Sequence, residues 1–292
     1  MKQLCILKAP AKLNLHLQIG EKREDGFHGI NSLFVMVDLY DEIDARSLTT
    51  GNDCRIIGDF NCTVENNLIY RSWKEFCRET GKKYGVEFNV KKNIPSFAGL
   101  GGGSSDAAAA LRIMNFLFET GFDDEHLAVI GNRIGSDVPF FISTPAAIIG
   151  GRGENVRKID PLVLDFVLIY PGVEIPTGEA YGWLDSLTEN RVPFLSEDSI
   201  MKIYRGFPEG WTGFNNDFSR VLKARYNIFS EIERALNDEG AVCSAVTGSG
   251  SSVFGLFKHS VQAEKAQNSL QNRFKFVQKI KSLDRIPYAI LE

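Results

Sequence analysis

The sequence predicts an α+β protein of two domains, and three observations carry that expectation. The 292 residues exceed what one small core fills and suit two domains of ordinary size. Segments of period two and segments of near-helical spacing follow each other along the chain, with no internal repeat and no low-complexity tract. The composition also shifts over Ile159–Asp165, just before the apolar run Phe166–Tyr170 and the pair Pro171-Gly172. The expected division is therefore an N-terminal unit over 1–160 and a C-terminal unit over 161–292.

Each element follows from spacing. Lys12–Ile19 alternates strictly, with Leu13, Leu15, Leu17 and Ile19 on one side and Lys12, Asn14, His16 and Gln18 on the other. Period two is the pattern of a half-buried strand, whose polar side is either solvated or lines a polar site. Arg23-Glu24-Asp25-Gly26 has the composition of a turn, and Ile30–Leu39 is again apolar and extended. Asn66–Glu79 carries Leu68, Ile69, Trp73, Phe76 and Cys77 close to helical spacing, and Gly81 stops it. Val86, Phe88 and Val90 alternate with Glu87, Asn89 and Lys91 in a strand that ends near Pro95. From Asp106 the run Ala107-Ala108-Ala109-Ala110-Leu111 predicts a helix to about Phe118, with Ser104, Ser105 and Asp106 as cap residues. Asp123-Asp124 opens another helix, which Gly135 ends. Past the boundary, Asn216–Arg225, Phe229–Asp238 and Val261–Phe274 read as helices, with short strands around Ala245, Val253 and Val277.

Composition narrows the function classes. A net charge of -4 gives no general attraction to nucleic acid or to acidic membranes, so an anionic ligand has to be held by local devices. Cys5, Cys54, Cys62, Cys77 and Cys243 form no C-x-x-C pair, and their odd number and wide spacing argue for reduced thiols rather than a disulfide framework or zinc site. The apolar stretch Leu4–Leu7 is too short for a signal peptide or membrane anchor, so the expected location is the cytoplasm.

The densest chemical signal is Pro95-Ser96-Phe97-Ala98-Gly99-Leu100-Gly101-Gly102-Gly103-Ser104-Ser105-Asp106, between a predicted strand and a predicted helix. Glycines let backbone N–H groups approach an anion, and the helix start adds free N–H groups and a positive dipole end. Phosphate binding is the use that fits. Two better-known phosphate loops do not match: Gly81-Lys82 is followed by Lys83 rather than Ser or Thr, and Ser104 stands where a G-x-G-x-x-G needs its last glycine. The protein-kinase motifs H-R-D and D-F-G are missing.

With these residues in view, the chain resembles the GHMP kinases, whose second motif has the form P-x-x-x-G-L-G-S-S-A-A. The expanded loop here is typical of the diphosphocytidyl-methylerythritol kinases among them. Four further segments match the family in order: Ala9–Leu15 with Arg23–His28, Gly135–Phe141, Pro171–Thr177, and Thr247–Phe254. The resemblance implies the two-domain GHMP fold, with an N-terminal ATP-binding domain like ribosomal protein S5, a C-terminal α+β domain, and the active site in the cleft between them. It implies phosphorylation of the 2-hydroxyl of a diphosphocytidyl-methylerythritol by ATP, with magnesium accompanying the nucleotide.

The same resemblance assigns roles. Asp137 is the expected base and Lys12 its electrostatic partner. Alone, Asp137 before Val138-Pro139 would read as a turn or helix cap. The loop Pro95–Ser105 is expected on the phosphates, with Asn67 and Lys92 near the adenine and ribose. Asn14, Phe27, His28, Thr177, Tyr181, Gly248 and Ser249 are expected on the acceptor, Phe27 and Tyr181 offering ring faces to the cytosine. No protein ligand for magnesium is assigned, although Ser105 is a candidate. Phe27 stands where the family usually has Tyr, and Phe97 where it usually has Gly. A small-molecule substrate is expected, no nucleic acid or membrane partner, and a monomer or weak homodimer. The rivals are a GHMP kinase with another acceptor, such as homoserine or mevalonate, and a non-catalytic nucleotide-binding protein on the same scaffold.

Overall fold

A computed structural model describes residues 4–49, 51–187, 192–211 and 214–287. Two long strands, β1 (Leu4–Lys22) and β2 (His28–Ser47), pair antiparallel around the predicted turn at residues 23–27. They are followed by β3 (Cys54–Gly58), α1 (Leu68–Thr80), β4 (Val86–Lys91), α2 (Gly102–Leu117), α3 (Asp124–Asn132), α4 (Val138–Ser143), β5 (Ala146–Gly150) and β6 (Asn155–Lys158). The strands form one sheet in the order β3-β4-β2-β5-β6, with β1 also on β2. The remainder comprises β7 (Asp165–Tyr170), α5 (Thr177–Asp185), α6 (Glu197–Arg205), α7 (Phe218–Arg225), α8 (Asn227–Asp238), β8 (Cys243–Val246), β9 (Val253–Phe257), α9 (Ser260–Leu270) and β10 (Phe276–Lys281). Its sheet runs β10-β7-β9-β8.

The two sheets share a core. Leu13, Leu15, Leu33, Val35 and Val37 from the first meet Phe166, Leu168, Phe254 and Leu256 from the second. A second cluster lies under the helices, where Leu17, Ile19, Phe34 and Met36 join α2 and Phe140. Ala107–Ala110 are all buried, and their small side chains let α2 lie close against β1.

Three expectations need correction. The polar side of Lys12–Ile19 is not one continuous face: Lys12, Asn14, His16 and Gln18 are all buried, so the solvated alternative falls, and the register shifts between Asn14 and His16. A β-bulge inserts a residue and switches the side chains that follow to the other face. Leu13 and Leu15 therefore pack between the sheets while Leu17 and Ile19 pack under the helices. The second correction concerns α2, which begins at Gly102 and not Asp106, with the left-handed Gly101 (φ 72°) as its cap and no side-chain cap bond. Ser104, Ser105 and Asp106 thus lie inside the helix. The third is that α5 and α6 occupy a stretch the spacing left without elements.

Candidate active site

A cleft of about 960 Å³ is bordered by residues from both sheets' units. The two halves of the bulge divide their polar residues across it: Lys12 and Asn14 line the cleft, whereas His16 turns away to Gln18, Asn215 and the ring of Phe214. Of the residues assigned from the sequence, the structure brings all but Ser105 to this cleft. Ser105 sits one turn into α2, fully buried, with its hydroxyl unpartnered and beside Ala9 and Pro10 of β1.

At one end the glycine loop is built almost wholly from backbone. Gly99 (φ 74°) and Gly248 (φ 57°) meet back to back: a Cβ on Gly99 would lie 2.1 Å from the Thr247 carbonyl oxygen, and one on Gly248 2.8 Å from that of Gly99. Ser252 N–H donates to the Ala98 carbonyl at 3.1 Å, which fastens the second-sheet loop to the first. Helix α2 then starts with the N–H groups of Gly102, Gly103 and Ser104 outside any helical bond, since the first helical acceptor, Gly101, takes Ser105 N–H. A Cβ on Gly103 would meet only Leu68, at 3.6 Å, so this glycine faces open space. Phe97 also holds a positive φ of 52°, the conformation that the usual glycine adopts easily.

Beneath the loop lies a charged cluster that sequence spacing did not reveal. Lys92 donates to Asp41 and, at 2.6 Å, to Asp106. The second oxygen of Asp41 accepts the N–H groups of Asn93 (2.6 Å) and Ile94 (2.9 Å), which fixes the entry into the loop. Burial pushes the Asp106 carboxyl well above the usual range, Lys92 opposing and Asp41 reinforcing the shift. Burial works against the Lys92 ammonium as well, but Asp106 and Asp41 outweigh it and raise its pKa. Lys92 is thus committed to the loop's foundation. Asn67 caps α1 by accepting from Ile69 N–H at 2.9 Å, so its carbonyl oxygen is already engaged.

In the middle stands Asp137. It is the N-cap residue of α4 yet makes no side-chain cap bond, so the plain reading of an aspartate at that position does not hold. Its carboxylate lies 3.9 Å from the Lys12 ammonium. Lys12 also donates to Asn14, rests over the Phe34 ring at 4.6 Å, and touches the position a Gly101 Cβ would take. Burial pushes its pKa below the ordinary lysine value, with Asp137 pulling back up. Asn14 is held in turn by Thr247, whose hydroxyl accepts Asn14 N–H at 2.9 Å, and by Ser32.

At the far end, His28 stacks on Tyr181 with centroids 5.2 Å apart. Its Nδ1 bonds the Gly20 carbonyl (2.9 Å) and its Nε2 faces Asp185 (3.2 Å). Both ring nitrogens are therefore engaged within the protein. Tyr181 also packs edge-on against Phe218, and burial, then Asp137 and Asp185, push its hydroxyl up to about 12. Phe27 is 54% exposed, with the Arg152 guanidinium 5.0 Å from its ring centre. Thr177, at the start of α5, and Ser249, in the loop between β8 and β9, join hydroxyls at 3.1 Å. Asp185 and Arg152 are cleft residues that the sequence reading missed; the glycine-dense Gly150-Gly151-Arg152-Gly153 was the available signal for the second.

The chain has clear relatives among known proteins. Residues 67–144 match the GHMP kinases N terminal domain and residues 214–275 the GHMP kinases C terminal. The 4-diphosphocytidyl-2-C-methyl-D-erythritol kinase of Thermodesulfovibrio yellowstonii is 38% identical over 271 residues, covering 89% of this chain and 92% of the relative. A crystal structure of 4-(cytidine 5'-diphospho)-2C-methyl-D-erythritol kinase superposes with a TM-score of 0.81 at 28% identity, covering 95% of this chain and 98% of that one. Homoserine kinase from Cytophaga hutchinsonii superposes at 0.70 with 18% identity over 99% and 98% of the two chains, which shows a common fold alone. On this identity, coverage and fold, the chain belongs to the GHMP kinases and, within them, to the 4-diphosphocytidyl-2-C-methyl-D-erythritol kinase family of ATP-dependent enzymes.

Proposed function

We propose that the chain phosphorylates the 2-hydroxyl of 4-diphosphocytidyl-2-C-methyl-D-erythritol with ATP, a step of the non-mevalonate route to isoprenoid precursors. The observation that carries this reading is the order of groups along one cleft. Free N–H groups of the glycine loop stand at one end, Phe27, His28 and Tyr181 at the other, and Asp137 beside Lys12 between them. The chemistry needs those three parts: a cradle for the triphosphate, a grip on the acceptor, and a base where the two meet. The division into units at residue 160 belongs to this reading, because β6 ends at Lys158, β7 begins at Asp165, and the cleft draws on both sides.

In this mechanism Asp137 accepts the proton of the acceptor hydroxyl as its oxygen attacks the γ-phosphorus. The bond to the β,γ-bridging oxygen breaks and ADP leaves. Lys12, held by Asn14, places its ammonium near the moving phosphoryl group and offsets the charge there. Among the described residues no three carboxylate, thiol or imidazole groups gather to hold a metal ion. Magnesium bound mainly by phosphate oxygens and water needs no such cage, so the site suits a metal delivered with the nucleotide. Among the described residues no helix is long and apolar enough to cross a membrane.

The test is a panel of acceptors with ATP. Turnover should be confined to the diphosphocytidyl alcohol, with homoserine and mevalonate inert. Comparable turnover of either of those would sink the proposed acceptor while leaving the kinase fold untouched.

A further inference from the structure

The cleft's cations are not equally available. Lys92 is bound to Asp41 and Asp106, Lys12 to Asn14 beside Asp137, and Lys22 lies 4.0 Å from Asp185. Arg152 differs: among the described residues its guanidinium meets no carboxylate, and it rests on the ring of Phe27. Its backbone is nonetheless firmly placed. It sits in the tight turn between β5 and β6, where Ile30 N–H donates to the Gly151 carbonyl (2.8 Å), Gly153 N–H to that of Gly150 (3.1 Å), and Arg152 N–H to Glu154 (2.5 Å).

The turn also touches the reacting centre. A Cβ on Gly153 would lie 2.9 Å from the Ser136 side chain and 3.7 Å from an Asp137 carboxylate oxygen. Arg152 thus lines the cleft with its guanidinium on the ring proposed to hold the base, on a turn whose next residue, Gly153, adjoins the carboxylate proposed to meet the hydroxyl. An acceptor that spans those two points carries its diphosphate between them. From this placement we infer that Arg152 is a specificity-determining residue, whose guanidinium binds the diphosphate of the acceptor while resting on Phe27. The planar fork of an arginine matches phosphate oxygens in pairs, and stacking on an aromatic ring holds it ready without neutralising it.

This inference rests on the cytidine-linked acceptor proposed above, and the experiment separates the two. The full chain, saturated with a non-hydrolysable ATP analogue so that the glycine loop is filled, is titrated calorimetrically with CDP and with cytidine. Wild type should prefer CDP. Arg152→Ala should lose CDP affinity by roughly 10- to 100-fold, the scale of hydrogen bonds to charged groups, with cytidine affinity unchanged. Arg152→Lys, which keeps the charge and loses the fork, should fall between. An alanine variant that keeps the wild-type preference for CDP overturns the assignment. Equal losses for both ligands also overturn it, since Arg152 would then act only through the Phe27 ring. If wild type binds neither ligand, the cytidine reading fails and takes this inference with it.

Discussion

The two ends of the cleft are made differently. At the end proposed for the nucleotide the contacts are backbone against backbone: Gly99 against Thr247, Gly248 against Gly99, and Ala98 bonded to Ser252, with the charged side chains Asp41, Lys92 and Asp106 turned inward as foundations. The end proposed for the acceptor is made of side chains, Phe27, Arg152, His28, Tyr181 and Asp185, several of them exposed. A surface of peptide groups recognises what all nucleoside triphosphates share. Side chains can be exchanged without moving the chain, so the choice of acceptor belongs at the second end.

The largest effect is expected where the two ends meet. Asp137→Ala should reduce turnover by roughly 100-fold or more, the scale of a positioned acid–base group, with ATP affinity and folding retained because Asp137 makes no cap bond. Wild-type turnover in a single-turnover assay would remove it from the mechanism.

Next come the glycines, which the comparison sorts into two kinds. Gly103→Val places a side chain in open space above the phosphate cradle, so ATP affinity should fall by at least roughly 10-fold at unchanged melting temperature. Gly99→Ala should act on the fold instead, losing about 1–3 kcal/mol or more, because a Cβ there meets the Thr247 carbonyl at a positive φ. Gly101, whose Cβ would strike Lys12 and Phe141, is too tightly packed to separate the two effects. Thermal denaturation alongside nucleotide titration decides, and a Gly103 variant that melts early would merge the two classes.

A smaller effect is expected from pH. Burial lowers the pKa of Lys12, so its ammonium loses its proton at a lower pH than an ordinary lysine does. Turnover should therefore fall as pH rises through that lowered value. Arg152 and other arginines stay charged throughout, and Lys12→Arg should remove the alkaline fall even if its plateau is lower. An unchanged alkaline limb in the arginine variant would place the titration on another group.

How much of this the sequence carried depends on whether local spacing or distant packing fixed each feature. The glycine loop, β4, α1 and the buried β7 were legible because turn residues and periodicity act over a few positions. The bulge after Asn14 was not, since an unbroken alternation of Leu with polar residues gives no sign that the strand changes faces. Neither was the start of α2, where three cap-like residues sit inside the helix and a bare glycine caps it. Asp41, Asp185 and Arg152 lie far along the chain from their partners Lys92, His28 and Phe27, and only the folded topology brings them together.

The division of labour can be measured directly by titrating ATP and the diphosphocytidyl acceptor separately into Gly103→Val and Tyr181→Ala. The glycine variant should lose ATP affinity and keep the acceptor. Tyr181→Ala should weaken the acceptor by about 1–3 kcal/mol, the scale of one base stack, and leave ATP unchanged. If each variant weakened both ligands alike, the two ends would not be separate sites and the account would be wrong.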